Sequence, residues 1–313
     1  MIRAFLPKPK DKYRVSNWKQ YNEYLKQRGN LSIWISEDVT KGWNYEGKRK
    51  RGGKKIYSEL AIQTCLVIRK VYHLPLRQTQ GMMESLVRIM RVPFTIPDYS
   101  TLSRRAAGLK IFLAKSEPRM HLVIDSTGLK IYGEGEWKVR QHGWSKHRTW
   151  RKLHLGINRE TKEIVMELLT PHSIVDAEAA LTLMQENKTT ISSFTGDGAY
   201  DKAPFRKLLH KEKITPIIPP QHNAQISKGS KEEIKSRDDD IKRIKQVGIK
   251  QWKQEMNYHK RSRVEVTMFR YKTIIGGKLR SRKEKNQQCE ARIGCWILNK
   301  MASMGMPLSK KAA

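Results

Sequence analysis

The spacing of apolar positions changes period along the chain, and each period predicts a different element. From Ser58, the run SELAIQTCLVIRKVYH puts Leu60, Ala61, Cys65, Ile68 and Tyr72 at helical spacing. LPLRQTQGMMESLVRIM repeats that period, with Pro75 near its start, where a helix needs no N–H. In IPDYSTLSRRAAGLK, Pro97 and Asp98 form a turn and Ser100 is placed to cap a third helix. Leu102, Ala106 and Leu109 share one face of that helix, and Arg104 and Arg105 point off it. Three short helices joined by tight turns, the last one basic, make residues 57–115 a small all-α, helix-turn-helix-like DNA-binding unit. A generic helical subdomain fits the same pattern.

Beyond this unit the period shortens. RMHLVIDSTGLKIYG begins as a buried strand and is expected to bend at Gly128. RTWRKLHLGINRET and KEIVMELLT form a hairpin, and VDAEAALTLMQEN reads as a helix. SSFTGDGAYD is a strand ending in a glycine-flanked Asp, APFRKLLHKE a helix, and ITPIIPP a short buried strand. The order β-β-β-α-β-α-β followed by helices at 257–272 and 283–303 is an α/β pattern with a mixed sheet. Residues 221–256 are polar and read as a solvated insertion; Asp238, Asp239 and Asp240 within it follow no strand and make a poor metal site. Before residue 57 lies a basic, aromatic N-terminal arm, 1–56. In it Asn17 is placed to cap a short helix ended by Gly29, and EGKRKRGGKK reads as a flexible basic linker.

Charge narrows what such a fold is for. Lys and Arg number 63 against 30 Asp and Glu, a formal net charge of +33. So large an excess repels itself in the compact state and suits a polyanionic partner, DNA or RNA. A solvated basic surface, a ribosomal-type protein and an enzyme all remain compatible with charge alone. The three cysteines, Cys65, Cys289 and Cys295, have no CxxC spacing and form no zinc pattern with the nine histidines. They fit a reducing compartment. The N-terminus lacks an apolar signal region and no window nears the length of a membrane span, so a cytoplasmic protein with no membrane partner is expected.

Candidate chemistry rests on three carboxylates. Asp125 follows the apolar Leu122–Val123–Ile124, and an Asp on a buried strand is costly unless paired or bound to metal. Asp197 lies between Gly196 and Gly198, which let the backbone pass close to a phosphate or ion. A turn-capping Asp is the ordinary alternative for each. On a helix over 257–272, Tyr258, Arg261, Glu265 and Lys272 fall within an arc of about 60° at about 100° per residue. A surface Arg–Glu pair explains part of that stripe equally well. Taken together, two strand acids and one helix acid are what a hard divalent cation needs, and two such ions can serve an in-line displacement at phosphorus.

These residues carry a family resemblance. Tyr258, Arg261, Glu265 and Lys272 stand at the spacing of the catalytic-helix signature of the DDE transposases of bacterial insertion sequences, in the family-five group. VIDSTGLKIYG and TGDGAYD are similar to that family's first and second Asp blocks. NWKQYNEYLKQRGNLSIWI, LPLRQTQGMMESL, PDYSTLSRR and LNKMASMGMP also resemble family segments, so the likeness spans nearly the whole chain. It implies an RNase H-like catalytic domain over 116–313, with Asp125, Asp197 and Glu265 as catalytic residues and ligands of two Mg²⁺ ions, for which Mn²⁺ substitutes. It implies nicking at element ends and attack of the freed 3′-hydroxyl on target DNA. Tyr258, Arg261 and Lys272 would then serve the phosphates and the end complex, and Arg104 and Arg105 would bind DNA. The implied partners are double-stranded DNA, both element ends and target, and further copies of the chain, in a bacterial, nucleoid-associated setting. A nuclease on the same fold and a non-catalytic DNA-binding protein are the competing readings.

Overall fold

In the computed structural model, residues 13–48, 55–114, 118–131, 150–187, 190–227 and 232–311 are described. Most of the expected basic linker lies outside them. Strand β1 (Tyr13–Val15) pairs antiparallel with Ser309–Lys311 at the other end of the chain. Asn17 precedes α1 (Trp18–Arg28) as expected but does not cap it. Its amide instead donates to the Met306 carbonyl at 3.2 Å and accepts from the Leu308 N–H at 2.7 Å, tying the two ends together. Two short helices follow, α2 (Leu31–Trp34) and α3 (Glu37–Lys41). Trp34, Val39 and Trp43 are buried, so this part of the arm is folded against the body.

Helix α4 (Glu59–Val71) starts where the sequence places it, the Ser58 hydroxyl accepting from the Ala61 N–H at 3.0 Å. After α5 (Leu76–Met90), residues 91–98 form an extended connection rather than a tight turn. It is pinned by Trp43 Nε1 donating to the Thr95 carbonyl at 2.9 Å and the Tyr57 hydroxyl donating to the Ile96 carbonyl at 3.1 Å. Helix α6 (Tyr99–Ala106) is capped by Asp98, not Ser100: the carboxylate accepts from the Ser100 N–H at 2.7 Å. A charged acceptor suits the positive end of a helix better than a hydroxyl.

The sheet is built on β2 (Met120–Ile131). β3 (Trp150–Asn158) and β4 (Ile164–Pro171) extend it antiparallel on one side. On the other side β5 (Ile191–Thr195) and β6 (Thr215–Ile217) run parallel, linked through α7 (Asp176–Glu186) and α8 (Ala203–Lys211). The order β4-β3-β2-β5-β6 is the mixed, RNase H-like arrangement that the resemblance implies. β2 does not bend at Gly128; it stays paired with β3 as far as Lys130 opposite Trp150. A Cβ at Gly128 would lie 3.1 Å from the Trp150 ring, so glycine lets that ring lie close across the strand.

The polar stretch expected to be a solvated loop is largely helical. α9 (Glu232–Glu255) is broken at Gly248, whose φ of 81° and ψ of 156° leave the helical region. Its halves fold back on each other: Arg243 makes a two-pronged pair with Glu255, and Trp252 Nε1 donates to Asp240 at 2.9 Å. Twelve residues of straight helix would hold those partners about 18 Å apart. Ile241 and Trp252 are buried beneath the hairpin. Below it, Asp201 accepts from Arg206 Nε at 2.7 Å and from Arg237 Nε at 3.1 Å, while burial pushes the Asp240 carboxyl up to about 6. The charged residues that look like a solvated run are therefore partly paired inside.

The expected helix over 257–272 is three pieces: a 3₁₀ turn (Tyr258–Arg261), α10 (Ser262–Arg270) and a π-helical stretch (Tyr271–Gly276). β7 (Lys278–Leu279) then joins the far end of β2, and α11 (Glu284–Met304) leads to β8 (Ser309–Lys311). α11 buries Ile293, Cys295, Ile297 and Leu298 in a core that also contains Ile62, Cys65 and Ile68 of α4, Leu102 of α6 and Val123, Leu153 and Leu155 of the sheet. The division expected at 115/116 falls inside this one core. The other sheet face, Leu122 and Ile124, packs with Phe194, Tyr200, Phe205 and Leu209. No helix among the described residues is long and apolar enough to cross a membrane.

Replacing Trp252 with Ala removes the apolar anchor of the α9 hairpin. The loss expected for a buried Trp is at least ~3 kcal/mol, so amide exchange across 232–255 should quicken by about 100-fold while β2 and β3 keep their protection. Unchanged exchange would mean that the hairpin is held by its ion pairs alone.

Candidate active site

Asp125 and Asp197 are brought together by strand register. In the parallel pair β2–β5, Val123 sits opposite Thr195. Two residues further on, the same register sets Asp125 beside Asp197, on strands about 4.8 Å apart and on the same face. Asp125 lies in mid-strand, opposite Leu155 of β3, not at the strand end expected from the sequence. Asp197 does end its strand: its carboxylate accepts from the Ala199 N–H at 2.9 Å and so also takes the turn-capping role.

Arg261 joins these acids to α10. One guanidinium nitrogen donates to Asp125 Oδ2 at 2.8 Å and another pairs with Glu265 Oε1. Asp125 is about one-fifth exposed and Glu265 about half, with side-chain values of 18% and 50%, so the site opens outward from Asp125 to Glu265. Burial raises the Asp125 carboxyl above its ordinary range; the Ser126 N–H and Arg261 pull it down, while Asp197 and Glu265 push it up. The Tyr258 hydroxyl is pushed up to about 12 by burial, again with Asp197, Asp125 and Glu265 adding to the rise and Arg261 opposing it. The Arg261 guanidinium lies 5.9 Å from the Tyr258 ring centre. Tyr258, Arg261, Glu265 and the two aspartates therefore form one electrostatic group.

The remaining sequence candidates sit elsewhere. Lys272 is exposed on the π-helical stretch and, among the described residues, has no hydrogen bond or ion pair; the expected continuous stripe is broken because the helix changes type before it. Arg104 is exposed and donates to Thr101 Oγ1 at 3.1 Å. Arg105 turns back to α4, donating to the Tyr57 carbonyl at 2.7 Å and to Glu59 at 2.5 Å, with 17% of its side chain exposed.

Sequence reasoning missed Tyr200. It is buried at the end of the turn that Asp197 caps, and its hydroxyl is raised by burial and then by Asp125, Asp176 and Asp197. A tyrosine three residues after the glycine-flanked Asp in GDGAY was the available signal. Asp176 in turn accepts from Lys152 Nζ at 3.2 Å and lies 3.8 Å from His154 Nδ1. Burial holds His154 near 4, so it is neutral at ordinary pH.

The donors suit a hard divalent cation: all three are carboxylates, and the one guanidinium paired with them leaves the group net negative. As the side chains stand, no three acidic, His or Cys residues among those described converge on one point. Arg261 stands between Asp125 and Glu265, so gathering them on an ion requires the guanidinium to withdraw.

Comparison with known proteins places this geometry. A family model described as a transposase DDE domain matches residues 116–300, well over half the chain and including all three acids. A second model of the same description matches 26–134, crossing from the N-terminal helices into β2. Among solved structures, a piggyBac transposase synaptic complex with hairpin DNA aligns over 92% of this chain and 76% of its own, at 9% identity and a TM-score of 0.37. That likeness is too slight to carry any argument here.

Removing Arg261 as Arg261→Ala takes away the cation paired with Asp125 and leaves the two repelling carboxylates. The Asp125 carboxyl should then titrate at higher pH than in the wild type, followed by carboxyl carbon NMR. A raised carboxyl disfavours its charged form, so the stability it contributes should fade as pH rises through its titration, and over a higher range in the variant. An unmoved titration would place the guanidinium outside effective Coulomb range.

Proposed function

This chain belongs to the transposase DDE-domain family, and on that premise we propose that it cuts DNA at the ends of an insertion sequence and joins those ends to target DNA. The observation that carries the reading is the meeting of Asp125, Asp197 and Glu265 around Arg261, on two register-matched strands and one helix. The reaction is an in-line displacement at phosphorus. Water, and later a 3′-hydroxyl, forms the new O–P bond as the old one breaks and the leaving oxygen takes the proton.

DDE transposase domains use divalent metal ions, and here Asp125, Asp197 and Glu265 would hold them, Mg²⁺ with Mn²⁺ as substitute. Such ions supply charge stabilisation at the phosphoryl group and lower the pKa of the attacking oxygen. Arg261 is close enough to move from the carboxylates to a phosphate, where a planar fork of donors is well matched. Tyr258 packs against Trp252 with ring centres 6.1 Å apart and so links the site to the α9 hairpin. Lys272 and Arg104, both exposed, would serve DNA phosphates farther out. Arg105 is tied to α4 and would act mainly by fixing α6. The N-terminal helices would read the terminal inverted repeats, with the end complex assembled from more than one copy of the chain.

Glu265→Gln should lower strand joining by about three orders of magnitude while leaving duplex binding within a fewfold. The assay uses pre-cleaved duplexes made from the DNA bordering the gene, with Mg²⁺ and a plasmid target, read as joined products on a gel. Free cut ends without joined products from the wild type would make the protein a nuclease. A fully active variant would remove Glu265 from the site.

A further inference from the structure

A cavity of about 430 Å³ lies between the end of α4, the turn after the π-helical stretch and α11. Its lining is cationic: Arg69, Lys70, Lys278 and Arg280, with His73 beside them and Glu290 as the one carboxylate. Glu290 is already satisfied. It accepts from Lys70 Nζ at 2.9 Å and from the backbone N–H groups of Arg280 at 3.1 Å and Ser281 at 3.0 Å. With Lys70 and Glu290 cancelling, three positive side chains still line one cavity.

Arg69 is the most telling of them. Its Nε is buried without a hydrogen-bond partner among the described residues. Burial lowers the pKa of its guanidinium, Glu290 opposes that, and the like charge of Arg280 adds to it. Arg280 is braced in place, its guanidinium donating to the His73 carbonyl at 2.7 Å. Two guanidiniums held toward one another in a half-buried place lack an anion, and a phosphate offers each a set of strong acceptors. Leu74 and Ile275 supply apolar wall beside them, and the volume exceeds what one phosphate fills.

The cavity is not part of the acid site. β7 joins β2 at Lys130 and Ile131, five to six residues beyond Asp125, which is about 16–20 Å along the strand. That distance corresponds to about five base-pair steps of duplex at 3.4 Å each. The cavity walls also belong to the core on the sheet face that carries α10.

We propose that this cavity seats a backbone phosphate of bound DNA together with its deoxyribose, anchoring the duplex about five steps from the bond being cut. The assignment rests on the strand-joining reading above. A free nucleotide has the same phosphate chemistry, and the test separates the two.

Full-length protein, its Lys278→Gln variant and its Lys278→Gln/Arg280→Gln variant are titrated with a random duplex of about 30 base pairs across a salt series. Both positions are exposed, and the single variant keeps the Arg280–His73 bond. The slope of log affinity against log salt should fall by about one in the single variant and about two in the double. Duplex should also shift the His73 ring signals in NMR. If wild type binds duplex but the slopes do not change, the cavity does not hold DNA. If inorganic phosphate or a deoxynucleoside monophosphate saturates the His73 shifts and duplex neither moves nor competes with them, the site serves a free phosphate compound and the DNA assignment fails. If wild type does not bind duplex at all, the strand-joining reading fails with it.

Discussion

Because β2 and β5 run parallel with Val123 opposite Thr195, the residues two places further along each strand emerge side by side on one face. The spacing of that pair is set by backbone hydrogen bonds, not by the side chains it presents. Two carboxylates are thereby forced into proximity that they would not choose in water. The site depends on this constraint: Asp125 is raised by burial and by its acidic neighbours, and Arg261 is drawn in as the balancing cation. Through Arg261 the strand acids are coupled to Glu265, and the position of α10 becomes an electrostatic matter as well as a packing one.

Packing nevertheless holds α10 where that coupling works. Val264 and Met268 face the core shared with α11, and Tyr271 is fully buried beneath it. Gly294 of α11 is required there, since a Cβ would come within 2.7 Å of Ile275 and the Tyr271 hydroxyl. The same α11 meets α4 through the buried Lys70–Glu290 pair; removing either partner of such a pair leaves an uncompensated charge, worth ~3–5 kcal/mol. The N-terminal helices thus cannot separate from the acid-bearing half without exposing the apolar face of α11. A transposase DDE-domain match that begins at residue 26 and runs into β2 agrees with that continuity.

Charge plays two roles in this strongly basic chain. Inside, it is paired: Arg206 with Asp201, Arg292 with Glu167, Lys70 with Glu290. Outside, the excess is unbalanced and suits a polyanion. The α9 hairpin shows why composition alone misleads between the two. Its Arg237 and Asp240 belong to the buried network, whereas Asp239 beside them is exposed.

Much of the architecture was legible in the sequence because it rests on local periodicity. The strands around Asp125 and Asp197, the helices α4, α5 and α11, and the Ser58 cap all follow from patterns a few residues long. The identity of the three acids followed from family-like motifs, and the structure brings them together. What only the tertiary fold decided is where those motifs act on one another. β2 runs straight past Gly128 because Trp150 packs against it. Arg105 turns to α4 and leaves Arg104 outside. The helix after Asn257 changes type twice, which separates Lys272 from the stripe that Tyr258, Arg261 and Glu265 keep. Local pattern fixes which residues share a face; partners distant in sequence fix whether a face is covered, charged or open, because burial and Coulomb energy depend on distance in space and not along the chain.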